Sequence, residues 1–214
     1  MTSEAPSPAA ADDGARDGAK LRQILAGARR VFHADGFDGA SMNDIAREAG
    51  VSKGTLYVYF DSKEALFVAL IREDRKQQAE QLCEFSDNDD ESVASVLRRF
   101  GISLLTHMTS ADSLAHIRTV IAIAGKFPEI GRAFYEAGPE HGQQKLGAWL
   151  ARRVAKGELD IDDPERAASN YLQLVQGSLF RRLLFGVDGT TSSAGIEKAV
   201  DEAADVFLRA YSRR

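Results

Sequence analysis

Cysteine is almost absent from this sequence: Cys83 is the one thiol among 214 residues. A single cysteine excludes an intrachain disulfide, and folding without disulfides is typical of proteins of the reducing cytoplasm. Long apolar runs are missing as well, since no stretch approaches the roughly 18 uncharged residues that a membrane-spanning helix needs. We therefore expect a cytoplasmic protein that has no membrane among its partners.

Motifs of catalysis and of metal binding are also missing. The sequence has no nucleophile elbow, no phosphate-binding loop and no metal-hydrolase motif. His107 and His116 lie nine residues apart without a neighbouring cysteine or paired carboxylate, which is not a spacing typical of metal ligands. The sequence therefore predicts no catalytic residue, no metal ion and no cofactor, and the chain is not expected to be an enzyme.

Basic residues are not in excess, with 27 Lys and Arg against 32 Asp and Glu and a net charge of −5. The charge is unevenly distributed. Residues 1–19 carry four acidic side chains and one basic one, whereas residues 20–75 carry nine basic side chains and eight acidic ones. Net charge therefore neither establishes nor excludes nucleic-acid binding, and the local arrangement of side chains has to decide.

Helical periodicity dominates what is present. Leu21, Ile24, Ala28 and Phe32 recur at the spacing of one buried helix face, and Gly36 can end that helix in a left-handed conformation. Similar patterns predict helices over residues 62–85, 91–108, 113–125, 128–156, 164–185 and 193–211. Because no convincing β pattern interrupts them, the predicted fold class is all-α.

Two segments are expected to depart from regular helix. Residues 1–19 are rich in Ala, Ser, Pro, Asp and Gly and lack an apolar centre, so they are predicted to form a disordered leader. The long segment over residues 128–156 contains Gly138 followed by Pro139. Proline removes a backbone donor and collides with the preceding turn, so this pair is predicted to break or kink the helix.

Residues 41–66 carry the most informative pattern. Ser41 can cap a short helix that ends at Gly50, because a tight turn needs a residue that tolerates positive φ. Ser52 can cap a second short helix over residues 53–59, which is too short to be stable alone and must pack its apolar side inward. The Lys, Thr and Tyr side chains then face outward. This arrangement predicts a helix-turn-helix whose second helix enters the major groove of DNA.

The same segment resembles the signature of the tetracycline-repressor (TetR) family of bacterial regulators, on the run I-A-R-E-A-G-V-S-K-G-T-L-Y-V-Y-F-D-S-K-E-A-L. The resemblance covers about residues 20–70 and implies a subunit of nine helices. It implies a DNA-binding domain, which we place at residues 20–66, and an effector-binding and dimerisation domain, which we place at residues 67–214. The predicted DNA contacts are Ser41, Ser52, Lys53, Gly54, Thr55, Tyr57, Tyr59 and Lys63.

An effector pocket between the central helices is the second expectation, because the resemblance is to a ligand-gated family. His116 and Tyr135 are the predicted polar contacts of an apolar or aromatic effector. The alternative is that the apolar members of this set are plain core, the commoner fate of apolar helical stripes. The candidate pocket residues are Phe100, Leu104, Met108, His116, Ile117, Ile121, Phe127, Phe134, Tyr135 and Trp149.

A dimer interface is predicted from the helix over residues 164–185, which is apolar around nearly its whole circumference. Such a helix is buried on all sides, so part of it is expected to meet a partner subunit and form a four-helix bundle with the last helix. The alternative is a central helix of a monomer. The candidate interface residues are Tyr171, Leu174, Val175, Leu179, Leu183, Val200 and Phe207.

The predicted function is that of a sequence-specific transcription regulator, a repressor that a small effector releases from its operator. Its two reading heads, about 34–36 Å apart, would match successive major grooves. Two alternatives stay open. One is that a protein partner, and not a small effector, controls the C-terminal domain; the other is that the chain is an all-α enzyme with a vestigial helix-turn-helix. The missing catalytic motifs argue against the enzyme.

Overall fold

The computed structural model describes residues 8–83 and 91–213, with side chains from residue 17 to 75 and from 91 to 213. Within these ranges the chain is helical and contains no strand, only one isolated bridge between Leu159 and Ser212. The all-α prediction is confirmed. The helices are α1 (Pro8–Gly39), α2 (Met42–Ala49), α3 (Lys53–Tyr59), α4 (Lys63–Cys83), α5 (Val93–Met108), α6 (Ala111–Ala124), α7 (Pro128–Tyr135), α8 (His141–Ala155), α9 (Pro164–Leu184) and α10 (Ser193–Tyr211).

Helix α1 begins earlier than the sequence pattern predicts. It starts at Pro8 and so includes residues 8–19, which were expected to belong to a disordered leader. Five of these twelve residues are alanine, the residue with the highest helix propensity. Extension also costs little once a helix has been nucleated, and the buried Ile24 fixes the following turns. Residues 1–7 of the predicted leader lie outside the described residues.

The predicted end of the first helix is confirmed at Gly36. Its φ of 68° and ψ of −179° are not helical, and they interrupt α1 one turn before its last residue. An L side chain rarely adopts this φ, which explains why glycine occupies the position. After Gly36 one more turn leads to Ala40, whose buried methyl group packs in the core.

The segment over residues 128–156 is irregular where Gly138 and Pro139 lie, as predicted, but it is not broken. A π-helical turn over Glu136–Glu140 contains the proline and joins α7 to α8. The wider π turn accommodates a residue that cannot donate to the helical hydrogen-bond ladder. When α7, the π turn and α8 are counted together, the described ranges contain nine helical segments.

The chain forms two compact units, Met1–Glu73 and Asp74–Arg214. The division falls within α4, beyond the boundary after residue 66 that the sequence suggested. A continuous helix offers no change of composition at that point. In the first unit, Gly27 lets α1 and α2 approach closely, because a Cβ there would lie 2.6 Å from the Cα atom of Ala49. Phe32, Phe37 and Phe67 pack together in the same unit.

The core of the second unit lies among α5, α8, α9 and α10. Trp149, Tyr171 and Phe207 are its largest apolar side chains, and none exposes more than 1% of its surface. The Tyr171 hydroxyl donates to the Leu97 carbonyl oxygen at 2.5 Å, so its polar atom is satisfied within the core. None of the helices in the described ranges is long and apolar enough to cross a bilayer.

Candidate functional site

Helix α2 begins and ends at the residues that the sequence pattern selected. The Ser41 Oγ accepts a hydrogen bond from the Asp44 backbone N–H at 3.2 Å and donates to the Asp44 carboxylate at 2.5 Å. The hydrogen bonds from Ser41 and then Arg47 lower the pKa of Asp44. Gly50 ends the helix at φ 64° and ψ 36°, a left-handed conformation. The predicted cap and glycine turn are therefore confirmed.

Helix α3 is stabilised by apolar side chains on its inner face and by a hydrogen-bonded cap at its first turn. The Leu56 side chain is fully buried, and Phe60, which follows the helix, is buried as well. At the other end, the Ser52 Oγ accepts from the Thr55 backbone N–H at 3.0 Å and lies 2.8 Å from the Thr55 hydroxyl oxygen. These contacts compensate for the low intrinsic stability of a seven-residue helix.

The outer side of α3 presents polar and apolar groups together. Ser52, Lys53, Gly54, Tyr57 and Val58 are exposed, while Thr55 and Tyr59 are half-buried. Val58 is 83% exposed, so its side chain lies on the open side of α3. The Lys53 ammonium lies 5.9 Å from the centre of the Tyr57 ring. A surface of hydroxyls, one cation and a methyl-bearing side chain suits phosphate oxygens and the methyl groups of thymine.

Tyr59 has a partner that sequence analysis missed. Its hydroxyl donates to the carboxylate of Asp17, which is 42 residues away in the chain. This hydrogen bond raises the pKa of Tyr59, because the carboxylate stabilises the protonated phenol. Asp17 was missed because it belongs to the segment that was predicted to be disordered.

Lys63 is the first residue of α4, and its side chain contacts the C-terminal end of α1. Its ammonium donates to the Phe37 carbonyl oxygen at 2.6 Å and to the Ala40 carbonyl oxygen at 3.0 Å, and it lies 4.5 Å from the centre of the Phe37 ring. The cation therefore compensates backbone acceptors at the end of α1, a common role of lysine near helix C-termini. Its contact with DNA stays a prediction, and this geometry favours a structural role.

Two further contacts fix α2 against α1. The Gln23 side-chain amide donates to the Ala49 carbonyl oxygen at 2.7 Å. Arg30 forms an ion pair with Glu48 at 2.5 Å and also donates to the Glu48 carbonyl oxygen at 3.1 Å. Both contacts hold the C-terminal end of α2, from which the turn to α3 begins.

The predicted pocket residues fall into three groups. Phe100 and Trp149 are buried in the core of the second unit, and three more pack against that core: Leu104, Met108 and Ile117. Ile121 and Tyr135, by contrast, expose 61% and 58% of their surface. Their assignment to the inside of a pocket is corrected, because Val120, Ile123, Ile130 and Ala133 take the buried positions of the same turns.

His116, Phe127 and Phe134 form the third group and are half-buried. The rings of His116 and Phe134 meet edge to face with centroids 6.0 Å apart. Arg75, which sequence analysis missed, places its guanidinium carbon 4.2 Å from the centre of the Phe134 ring. Gly138 leaves room for it, since a Cβ there would lie 3.3 Å from the Arg75 Cδ. One cation and two rings therefore meet beside the π turn.

The electrostatics of this cluster follow from burial. Burial lowers the pKa of Arg75 to about 10, so the guanidinium stays charged at neutral pH. Burial, and then the positive charge of Arg75, lower the pKa of His116 to about 4. The same two causes lower the pKa of His107. The cluster therefore combines one half-buried cation with neutral imidazoles, which can both donate and accept hydrogen bonds.

Most of the predicted interface residues are not at the surface. Tyr171, Val175, Leu183, Val200 and Phe207 are buried within the second unit, which corrects their assignment to the interface. Three of them, Tyr171, Val175 and Val200, pack against α5, where a Cβ added at Gly101 would lie 2.7 Å from Tyr171 and Val200 and 3.4 Å from Val175.

Other apolar residues of α9, of α10 and of the loop between them are exposed to solvent. Leu179 is partly buried against the core, while Leu174 is exposed. Phe185, Val187 and Val206, which sequence analysis did not select, are exposed by 80%, 62% and 52%. Periodicity alone did not separate the two sides of α9, because its apolar residues are spread around the helix and Leu174 stands among polar residues on the exposed side.

Comparison with known proteins gives a consistent result for both units. Residues 24–70 match the family described as "Bacterial regulatory proteins, tetR family". Residues 95–213 match the "AefR-like transcriptional repressor, C-terminal domain". The chain is 32% identical to the HTH-type transcriptional repressor Rv1474c of Mycobacterium tuberculosis over 175 residues, which are 79% of this chain and 85% of that protein.

Solved structures agree. A putative TetR-family transcriptional regulator from Mesorhizobium loti superposes with a TM-score of 0.86 at 27% identity, over 92% of this chain and 99% of the other. The flavonoid-responsive regulator FrrA superposes with a TM-score of 0.77 at 34% identity over the same shares of the two chains. The chain belongs to the TetR family of bacterial regulatory proteins.

Proposed function

We propose that this protein is a transcription repressor that binds operator DNA through α3, as a homodimer, and leaves it when a small molecule binds the second unit. The observation that carries the proposal is the capped α2, the left-handed Gly50 and the outward-facing α3. Relatives at 32% and 29% identity are named repressors, Rv1474c and AcnR of Corynebacterium efficiens. The family consists of regulators and not of enzymes.

The side chains of α3 and of the two caps divide into two kinds of DNA contact. Ser41, Ser52 and Lys53 lie at the first turns of α2 and α3, where hydroxyl, ammonium and backbone N–H groups suit phosphates. Tyr57 and Thr55 supply hydroxyl groups for base edges or phosphates. Gly54 is exposed and has no side chain, so the backbone of α3 can approach the DNA closely.

A homodimer supplies the second reading head that one short helix needs. The exposed apolar side chains of α9 and α10, and of the loop between them, are the proposed interface: Leu174, Phe185, Val187 and Val206. Large exposed apolar side chains on one part of a surface are typical of interaction sites. A two-fold axis through this surface would pair each of these residues with the same set in the partner.

The effector site is proposed to lie around Phe134, His116 and Arg75. The Phe134 ring and the neutral imidazole suit an aromatic ligand, and the guanidinium suits an oxygen acceptor on that ligand. FrrA, at 34% identity, is named for its response to flavonoids, which are aromatic and oxygen-rich. The apolar wall would come from half-buried neighbours of the core, Leu104, Met108, Ile117 and Phe127.

The test is titration of the purified protein against a fluorescent duplex from its own upstream region, at several salt concentrations. Tight binding that weakens steeply with salt is expected. If the protein binds neither this duplex nor any other fragment of the genome at low salt, the repressor proposal is wrong.

Tyr57→Ala tests the role of α3 directly. The variant is expected to bind the upstream duplex about tenfold more weakly, since one base-reading contact contributes about 1–3 kcal/mol. Tyr135→Ala is the matched control, because Tyr135 is an exposed tyrosine of the second unit. Equal affinities of the two variants would contradict the proposed contact.

A further inference from the structure

An acidic side chain lies directly against the proposed DNA-reading helix. Asp17, on the early part of α1, accepts a hydrogen bond from the Tyr59 hydroxyl at the last residue of α3. Both residues belong to the first unit, so the contact lies within one compact body. Asp17 is exposed and Tyr59 is half-buried, and neither is part of the core.

The contact uses one of the few polar groups that α3 can offer to DNA. The sequence of α3, KGTLYVY, contains one charged side chain, Lys53, and three hydroxyls. The Thr55 hydroxyl already lies 2.8 Å from the Ser52 hydroxyl. A phosphate oxygen and the Asp17 carboxylate are both acceptors, and both form charge-assisted hydrogen bonds with a phenol. They therefore compete for the same Tyr59 proton.

Charge adds to this competition. Asp17 is one of three acidic side chains, against one arginine, in residues 8–19, whereas residues 20–75 carry nine basic and eight acidic side chains and are nearly neutral. Any phosphate that Tyr59 reaches is within a few ångströms of Asp17, well inside the Debye length of about 8–10 Å at physiological salt. The carboxylate must therefore repel each such phosphate, whatever the base sequence of the DNA.

We propose that Asp17 lowers the affinity of this protein for DNA. It does so by accepting a hydrogen bond from the Tyr59 hydroxyl in the free protein and by repelling the DNA phosphate that would replace Asp17 as the acceptor. The proposal rests on the proposed DNA-binding role of α3. Asp17 acts through Tyr59 and needs no DNA contact of its own. It weakens binding to operator and to unrelated DNA by the same factor, since phosphates are common to both.

The experiment measures the affinity of Asp17 variants for two fluorescent duplexes of 30 base pairs, one from the upstream region and one of random sequence. Asp17→Asn keeps an oxygen acceptor for Tyr59 and removes the charge, while Asp17→Ala removes both. Asp35→Asn is the matched control, since Asp35 is exposed on the same helix. It lies 18 residues further on, about 27 Å along the helix axis.

Both Asp17 variants are expected to bind both duplexes about three- to tenfold more tightly at low salt, with a steeper dependence on salt. Asp35→Asn is expected to change affinity less than twofold. In a Tyr59→Phe background the gain from Asp17→Asn should shrink, because the competition for the hydroxyl is gone. Unchanged affinity in the Asp17 variants, or weaker binding by Asp17→Ala, would overturn the proposal.

A second readout needs no DNA. The phenol of Tyr59 can be titrated by NMR in protein with ¹³C-labelled tyrosine, with its signal assigned from Tyr59→Phe. Asp17→Asn is expected to return the raised pKa of Tyr59 towards its ordinary value, and Asp35→Asn to leave it raised. If Asp17→Asn leaves the titration unchanged, the contact does not form in solution and the proposal is wrong.

The two measurements separate this inference from the proposed function. If the wild-type protein binds neither duplex at low salt, the DNA-binding role of α3 fails, and the inference fails with it. If the wild-type protein binds both and the Asp17 variants match Asp35→Asn, only the inference fails.

Discussion

At the scale of single residues, two cations of this chain are held in ways that a sequence does not reveal. Lysine usually projects into solvent, yet the Lys63 ammonium lies on two backbone carbonyl oxygens and beside a phenyl ring. Arginine usually projects its guanidinium into solvent, yet the Arg75 guanidinium lies against the Phe134 ring and close enough to two histidines to lower their pKa values. Lys63 leads to a prediction about stability, and His116, whose pKa Arg75 helps to lower, leads to one about the pH dependence of stability.

Replacing Lys63 should lower stability. Lys63→Met keeps the length of the side chain but leaves the carbonyl oxygens of Phe37 and Ala40 without their donor. Hydrogen bonds to a charged group contribute about 1.5–3 kcal/mol, so the free energy of unfolding should fall by about that amount. Urea denaturation followed by circular dichroism measures the change. Lys53→Met, at an exposed lysine of α3, is the control and should cost less than about 0.5 kcal/mol.

His116 should make stability depend on pH. Its pKa of about 4 lies below the value of about 6.5 for an unfolded chain, so the folded state disfavours the protonated form. The contribution of neutral His116 to the free energy of unfolding is therefore fully present above about pH 6.5 and is lost as the pH falls towards about 4. The loss should amount to about 2–3 kcal/mol.

The measurement is urea denaturation of the wild-type protein and of His116→Leu at pH 7.5, 6, 5 and 4.5. The advantage of the wild-type protein over His116→Leu should shrink as the pH falls. The exposed His33 supplies a control, His33→Gln, whose difference from the wild-type protein should not follow this course. A constant difference for His116→Leu would contradict the prediction.

At the scale of helices, the termini of α2 and α3 were predictable because local chemistry alone determines them. Ser41, Gly50 and Ser52 each act on backbone groups three or four residues away, and the structure has them in those roles. The helical state of residues 8–19 was not predictable in the same way. It depends on a helix nucleated further along by buried side chains such as Ile24, so its composition alone was misleading.

Helix packing in the second unit depends on a glycine that the sequence analysis did not select. A Cβ at Gly101 would lie 2.7 Å from both Tyr171 and Val200, which join α5 to α9 and α10. Gly101→Ala should therefore destabilise the protein by about 1–3 kcal/mol through overpacking. Thermal unfolding measures the effect. Gly142→Ala in α8 is the control, because nothing lies within 4 Å of its added Cβ. There the higher helix propensity of alanine should stabilise slightly, so equal effects at both sites would refute the packing argument.

At the scale of the whole molecule, the fold class and the helix-turn-helix segment were predictable, whereas the division between core and surface was not. Tyr171 and Val175 belong to a helix whose apolar residues are spread around its circumference, so periodicity could not tell which of them meet α5. The same ambiguity placed Ile121 and Tyr135 inside a pocket, although both are exposed. Contacts between residues far apart in the chain determine which apolar side chains are buried, and a single sequence does not reveal those contacts.

The corrected surface of α9 and α10 leads to a prediction about assembly. Phe185 is 80% exposed, and a large aromatic side chain in that position gains most from contact with a second copy of the chain. Phe185→Asp places a charge in the proposed interface and should shift the protein from dimer to monomer in sedimentation velocity at micromolar concentration. The same variant should bind the upstream duplex at least about tenfold more weakly, because each monomer then reads one half-site. Ile121→Asp carries the same kind of change at an apolar side chain of α6 that is 61% exposed, and it should remain dimeric. Should Phe185→Asp stay dimeric with unchanged affinity, the interface must lie on another surface, and the exposed apolar residues of α9 and α10 would then need a different partner.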